Sequence, residues 1–210
     1  VEIIEGHVPI TYNKKVASII RYYQNQGKPH IQQWLNREDK FKEIILPILK
    51  EEGVPPEIFY VAMVESGLKT DATSYAAAVG PWQFISSTAK VFGLKKNYYI
   101  DERRDFEKST RAACKYLKNL HKQFGDWYLA FAAYNCGETR VRRHISYFKT
   151  NDYWELTNLP KETQNYIPSI LAIIFISKDP EKYGFNVKPE PFFNWTIKEW
   201  PEKNPDRTKN

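Results

Sequence analysis

Between residues 105 and 137 the chain carries two helices punctuated at both ends, and this constrains the fold more than any other feature. Asp105 precedes a run from Phe106 to Phe124 in which Phe106, Ala113, Tyr116, Leu117, Leu120 and Phe124 share one side of a helix. Gly125 ends that run, Asp126 opens the next from Trp127 to about Asn135, and Gly137 closes it. An aspartate at an N-cap accepts the free N–H groups of the first turn, and a glycine past the last turn adopts the left-handed backbone that stops a helix. Two antiparallel helices turning at Gly125 are therefore predicted.

The same punctuation recurs elsewhere. An amphipathic stretch runs from Asn13 to Gln26 and closes at Gly27 and Pro29, a short one covers Ile31 to Asn36, and a third starts near Asp39 and stops at Gly53. Pro55 and Pro56 open a helix, where a missing N–H costs little, and it continues through Ile58, Val61, Ala62 and Glu65 to Gly67. Helices are also predicted over Ser87–Phe92, Glu138–Tyr147 and Lys161–Ser177. From Asp179 onward helical period is lost and an extended tail is expected, either a strand or a strap across the surface. The fold class is mainly α.

A chain of 210 residues, 42% hydrophobic and 27% charged, is long enough for one substantial soluble domain. The net charge of +6 suits an anionic partner, yet the positive residues are scattered among 25 acidic ones. The densest basic cluster, Arg140, Arg142, Arg143 and His144, would spread around a helix and reads as a solvated face. No zinc-type cysteine spacing, basic zipper or RNA-recognition motif accompanies it, so no nucleic-acid partner is expected. The aromatic residues, 15% of the chain, either fill the core or line a groove. Residues Val1 to Ile10 lack the pattern of a signal peptide, and the apolar run Ile170 to Ile176 is too short to span a bilayer. A start after a removed export or lipoprotein signal is the expectation.

Glu65 is the residue hardest to explain structurally. It shares one helical stripe with Ile58, Val61 and Ala62, so its carboxyl points along an apolar face. Desolvation there raises a carboxyl pKa, and the negative end of the helix dipole opposes the anion further. A glutamic acid kept protonated near neutral pH is what general acid catalysis requires. The alternative is a structural Glu neutralised by an arginine such as Arg103 or Arg140.

The residues around Glu65 bear on this choice. Glu65-Ser66-Gly67 is followed by Ser74, by Gly80-Pro81-Trp82-Gln83-Phe84, by Asp101-Glu102-Arg103-Arg104-Asp105, by Ala132-Ala133-Tyr134-Asn135-Cys136-Gly137, and by Pro160-Lys161-Glu162-Thr163-Gln164-Asn165-Tyr166-Ile167-Pro168. This series, from about Pro9 to Val187, resembles the soluble lytic transglycosylase (SLT) domain, with its lysozyme-like (goose-type) fold, in the membrane-bound transglycosylase D-like branch. The resemblance implies an N-terminal helical extension over 1–52 packed on the core, a catalytic domain over 53–178 and an extended tail over 179–210. It implies that Glu65 is the catalytic acid/base. Ser74 and Gln83 match residues that hold sugar beside it, Tyr134 and Asn135 match the family's tyrosine-asparagine pair at the substrate site, and Tyr166 matches a second tyrosine facing the cleft; Tyr134 and Tyr166 are both expected to orient the Glu65 carboxyl. Each has a plainer role open to it: a loop serine bonding its own backbone, a helix-capping Gln83, a helix-ending Asn135, core tyrosines. Ser66 is expected to support the helix end. Ala77 stands where the family usually has glycine, which should strain or reshape the loop if positive φ is needed there.

The implied reaction is cleavage of the β-1,4 bond between N-acetylmuramic acid and N-acetylglucosamine in peptidoglycan, giving a 1,6-anhydro end with one carboxyl group rather than the usual two. Asp71, Asp101 and Asp105 match no catalytic position. Trp82 or neighbouring aromatics are expected to stack on sugar faces. No cofactor or metal is implied, and His7, His30, His121 and His144 lack zinc-type spacing. An exported, monomeric protein of the periplasm or outer membrane, open to a membrane tether through a lipoprotein signal, is the corresponding expectation. A goose-lysozyme-like hydrolase, a non-catalytic glycan-binding wall module and a nucleic-acid binder are the rival readings. Cys114 and Cys136 stand at equal distances from Gly125 and are either bridged or two free thiols.

Overall fold

The computed structural model describes residues 7–191. Among them the chain forms eight α-helices: α1 (Lys14–Gln24), α2 (Lys28–Glu51), α3 (Phe59–Ser66), α4 (Ser86–Val91), α5 (Phe106–Phe124), α6 (Trp127–Cys136), α7 (Glu138–Phe148) and α8 (Lys161–Lys178). Extended pairing among these residues is limited to isolated bridges, Thr73 with Val79, Val79 with Phe84, and Lys96 with Asp101. The caps are where the sequence places them. Asn13 accepts from the Val16 N–H at 3.0 Å, Asp105 from Lys108 and Asp126 from Leu129, both at 2.8 Å. Each satisfies a donor that the first turn leaves without an intrahelical partner.

The helix α6 is the centre of the domain. Residues Trp127 to Ala133 are all buried, so this helix has no solvated face. Packed around it are α5, α7 and α8. The apolar run Ile170 to Ile176 of α8 lies in the same core, and α1 packs on α8 while α2 packs on α3 and α5. Elements from residues 7–52 thus share one continuous core with the rest.

One expectation changes. The stretches Ile31–Asn36 and Asp39–Gly53 are one helix of 24 residues, α2, with Pro47 inside it. That proline removes one intrahelical bond, to the Glu43 carbonyl, without ending the helix. Asn36 looks like a helix end in the sequence but serves a distant segment: its side-chain oxygen accepts from the Lys188 N–H at 2.8 Å, and its carbonyl accepts from the Glu190 N–H at 2.7 Å. The start of the tail is accordingly a strap across the surface. After a 3-10 turn, Glu181–Tyr183, residues 185–191 run without regular structure along α2, and Arg37 pairs with Glu190 at 3.1 Å. The rest of the tail expectation, residues 192–210, lies outside the described residues.

The cysteines are both free thiols. Although α5 and α6 form the predicted hairpin, the two side chains face different neighbours. Cys114 is buried near Glu52 of the segment after α2, whereas Cys136 is half-buried beside Thr163 of α8. Level backbones do not bring together thiols that point apart.

A buried carboxylate ties three helices together. Glu38 of α2 pairs with Lys42 at 2.5 Å and accepts from Tyr60 of α3 at 3.1 Å and from Ser177 of α8. Its removal leaves an ammonium and two hydroxyl groups short of a partner in a poorly hydrated site, where such groups are costly. We expect Glu38→Ala to lower unfolding free energy by about 2–4 kcal/mol in urea titration, with Glu38→Gln losing less. Equal stability of the alanine variant and the parent contradicts this account.

Candidate active site

Glu65 sits in the last turn of α3, a helix of eight residues that ends at Gly67 in the left-handed conformation, φ +61°. A Cβ at Gly67 would lie 2.3 Å from the Trp34 indole nitrogen, so only glycine lets α2 approach this closely. Arg37 donates to the Gly67 carbonyl at 3.2 Å from the same side. Ser66 supports the helix end as expected: its hydroxyl donates to the Pro81 carbonyl at 2.9 Å and accepts from the Lys69 N–H at 3.2 Å.

The Glu65 carboxyl is half-buried and opens on a groove. Tyr166 of α8 donates a hydrogen bond to its Oε1. Neither arginine considered for it is in contact. Arg103 is buried against Asp101, with Nη2 at 2.6 Å from the carboxylate, and Arg140 is exposed on α7. Burial pushes the Glu65 pKa up from 4.5 to about 7; the Tyr166 hydrogen bond acts against this, and the negative charge of Glu162 adds to it.

The opposite wall of the groove is the loop between Ala72 and Phe84, which is folded tightly. The Ala77 N–H donates to the Ser74 carbonyl at 3.0 Å, and the Ser74 N–H to the Ala78 carbonyl at 2.9 Å. Ala77 does adopt positive φ, +58°, a conformation that costs a non-glycine residue about 1–2 kcal/mol. Arg103 holds it in place by donating to the carbonyls of Ala77 at 3.2 Å and Phe84 at 3.0 Å. Gly80 packs so closely on the Arg103 carbonyl that a Cβ would come within 1.9 Å. The loop therefore keeps the shape that glycine would give it, with the strain offset by a buried guanidinium.

The groove has a volume of about 470 Å³ and is lined by Glu65, Ser74, Gln83, Tyr134 and Asn135, five of the six predicted site residues. The sixth, Tyr166, is buried behind Glu65 and does not line the groove, so it reaches a bound molecule only through that carboxyl. The plainer roles are partly filled too. Ser74 Oγ accepts from the Ala78 N–H at 3.1 Å, and Gln83, itself at φ +47°, donates to the Gly80 carbonyl at 2.8 Å. The Tyr134 hydroxyl donates to the Trp82 carbonyl at 2.6 Å rather than to Glu65. Asn135 bridges α6 to α8, accepting from Thr163 at 2.7 Å and donating to Glu162 at 3.2 Å.

Trp82 is a correction. Its side chain is fully buried and its indole N–H donates to Thr110 at 2.9 Å, so it anchors the loop from inside and offers no ring to a ligand. Tyr116 and Tyr134, both half-buried, supply the aromatic surface of the groove instead. Glu162 also lines the groove and was not singled out from the sequence; as an acid in the first turn of a helix it looks like ordinary dipole compensation.

Residues 42–157, more than half of the chain, match the family described as the transglycosylase SLT domain. The chain belongs to this family. The matched segment includes Glu65, Ser74, Gln83, Tyr134 and Asn135, whereas Glu162 and Tyr166 lie beyond it. Over 169 residues the chain is 38% identical to membrane-bound lytic murein transglycosylase D of Escherichia coli K12, covering 78% of this chain and 37% of that protein. Over 114 residues it is 38% identical to a putative tributyltin chloride resistance protein of an Alteromonas species, covering 54% and 55%. The chain thus spans little more than a third of the transglycosylase D relative. Among solved structures, an inactive mutant of the lytic transglycosylase Slt of Pseudomonas aeruginosa matches with a TM-score of 0.54 at 25% identity, over 72% of this chain and 25% of that one. The 70 kDa soluble lytic transglycosylase of Escherichia coli shares the fold at a TM-score of 0.54 and 20% identity, over 85% and 32%. Among the described residues no helix is long and apolar enough to cross a membrane.

A raised pKa makes Glu65 hold its proton more tightly in the folded than in the unfolded chain. The associated stability is complete below the unfolded value of 4.5 and is lost as pH rises through about 7. Relative to Glu65→Gln, the parent should lose about 1–3 kcal/mol of unfolding free energy between about pH 4.5 and pH 8, by urea titration at each pH. Parallel stability curves for the two proteins refute the desolvated carboxyl.

Proposed function

We propose that this chain is a peptidoglycan lytic transglycosylase that uses Glu65 as both acid and base. The observation that carries the reading is a half-buried carboxyl, protonated near neutrality, opening on a groove whose other wall bears Ser74 and Gln83. Protonated Glu65 donates to the β-1,4 glycosidic oxygen between N-acetylmuramic acid and N-acetylglucosamine, and the acetamide of the muramyl sugar stabilises the cationic centre. The resulting carboxylate takes the proton from the muramyl C6 hydroxyl, which attacks C1 and closes the 1,6-anhydro ring. Proximity within one sugar replaces a bound water nucleophile. Tyr166 holds the carboxyl in place, while Ser74, Gln83, Tyr134 and Asn135 line the space for acetamide and hydroxyl groups. Residues 53–178 form the catalytic part and 1–52 an extension packed on it. The setting that fits this substrate is outside the cytoplasm, in the periplasm or at the outer membrane, with the chain acting as a monomer on glycan strands.

One observation favours a second reading. Glu162 places another carboxyl in the groove, as a hydrolase using a base-activated water requires. Mass analysis of digested cell wall separates the two, since anhydro products are one water lighter than hydrolytic ones.

Glu65→Gln should keep the fold and lower turnover by about 10²–10⁴-fold. Normal turnover in that variant refutes the acid. Tyr166→Phe removes the hydrogen bond that favours the Glu65 anion, so the alkaline limb of the pH–activity profile should move upward. An unmoved or lowered limb contradicts the part given to Tyr166.

A further inference from the structure

A second face of α4 looks away from the catalytic groove. Ile85 and Thr88 border the groove, whereas Ser86, Ala89 and Lys90 border a separate hollow of about 540 Å³. The rim of this hollow carries three exposed ammonium groups, those of Lys90, Lys95 and Lys96. Among the described residues, none of the three takes part in an ion pair. The acids that face Lys96 and Lys95 are held by other cations: Asp101 by Arg103 and Glu102 by Lys108, both at 2.6 Å. The hollow is thus left with a positive rim.

Lys95 and Lys96 belong to a hairpin. Its arms meet where the Glu102 N–H donates to the Lys95 carbonyl at 2.9 Å and where Lys96 bridges to Asp101. The tip holds Tyr98, Tyr99 and Ile100, which are 93%, 88% and 55% exposed. It is nevertheless well bonded. The Asn97 side chain accepts from the N–H groups of Tyr99 at 2.9 Å and Ile100 at 2.8 Å, and the Asn97 N–H donates to the Ile100 carbonyl at 2.8 Å. The Tyr98 and Tyr99 rings meet edge to face with centres 5.1 Å apart. Three consecutive large side chains are therefore held out in water by a built turn, and a contiguous exposed patch of this kind marks an interaction surface.

We propose that this hairpin docks the folded domain on an anionic phospholipid surface. Tyrosine is amphipathic, so Tyr98 and Tyr99 settle with their rings among the headgroups and their hydroxyls in water, while Ile100 reaches the acyl boundary. The lysines behind the tip lay their stems along that boundary and place their ammonium groups against lipid phosphates. The two features select the partner together. A tip without the lysines would take neutral lipid as readily as anionic lipid, and lysines without the tip would take any soluble polyanion. The contact is peripheral, since among the described residues no helix is long and apolar enough to cross a membrane. It is made by the chain's own side chains and does not rest on the reading of Glu65.

The test mixes the chain, carrying no attached lipid, with vesicles of phosphatidylcholine alone or of phosphatidylcholine with phosphatidylglycerol, and measures the fraction that sediments. Binding should be at least about tenfold tighter on the mixed vesicles, and should weaken as salt is added. Lys90→Ala/Lys95→Ala/Lys96→Ala should lower it by about 100-fold, and Tyr98→Ser/Tyr99→Ser/Ile100→Ser by about tenfold. The exposure of all six side chains predicts unchanged circular dichroism and melting temperature, which report that each variant is folded. Equal binding of the parent to both kinds of vesicle, or undiminished binding of either variant, overturns the proposal. Loss of binding in the lysine variant with none in the tip variant identifies a site for soluble polyanions and overturns it equally.

Discussion

Holding a carboxyl group half out of water at the end of a short helix is unfavourable, and much of this fold bears that cost. A helix of eight residues such as α3 has little stability of its own. It persists because its far end is clamped by Trp34 and Arg37 at Gly67, and its near end by Tyr60, which reaches Glu38 and Ser177. The helix α8 contributes Tyr166 to the carboxyl and Ser177 to the buried Glu38 cluster, so one rigid element fixes both ends of the arrangement. The long α2 and the strap of residues 185–191 stabilise it from behind. In this way residues far from the groove in sequence determine where Glu65 points.

Strain is gathered on the facing wall. Ala77 and Gln83 both carry positive φ within one loop, and both border the groove or the turn that forms it. Such conformations persist only when the surroundings over-determine them. Here the surroundings are the Arg103 guanidinium, the Gly80 contact with the Arg103 carbonyl and the buried Trp82. Arg103 would have neutralised the acid in the structural reading of Glu65. It instead builds the wall opposite, and the carboxyl keeps its proton because no cation has replaced it.

What was legible in the sequence was local. Asp105, Asp126, Gly125 and Gly137 each act within a turn of their own position, so the hairpin of α5 and α6 followed from spacing alone. Glu65 was legible because an acid on an apolar stripe breaks the pattern around it. What was misread or left open involves partners distant along the chain. Asn36 looks like a helix end because the strap that occupies it lies some 150 residues later. The burial of Trp82 depends on Thr110, and the separate orientations of Cys114 and Cys136 depend on helices α2 and α8. Spacing carries no information about any of these contacts. Ala77 is the intermediate case: the departure from glycine was visible, but the arginine that makes it tolerable was not.

The groove also shows how helix ends set charge. Glu65 stands at the C-terminal end of α3, where the carbonyl dipoles oppose an anion, and Glu162 stands in the first turn of α8, where the N–H dipoles favour one. The negative charge of Glu162 then adds to the burial that keeps Glu65 protonated. Two carboxyl groups in one groove are thus given unlike surroundings by the directions of the helices that carry them, the arrangement that lets one act as an acid near neutral pH. A guanidinium placed between the carboxyls would pair with both and pull the proton off Glu65.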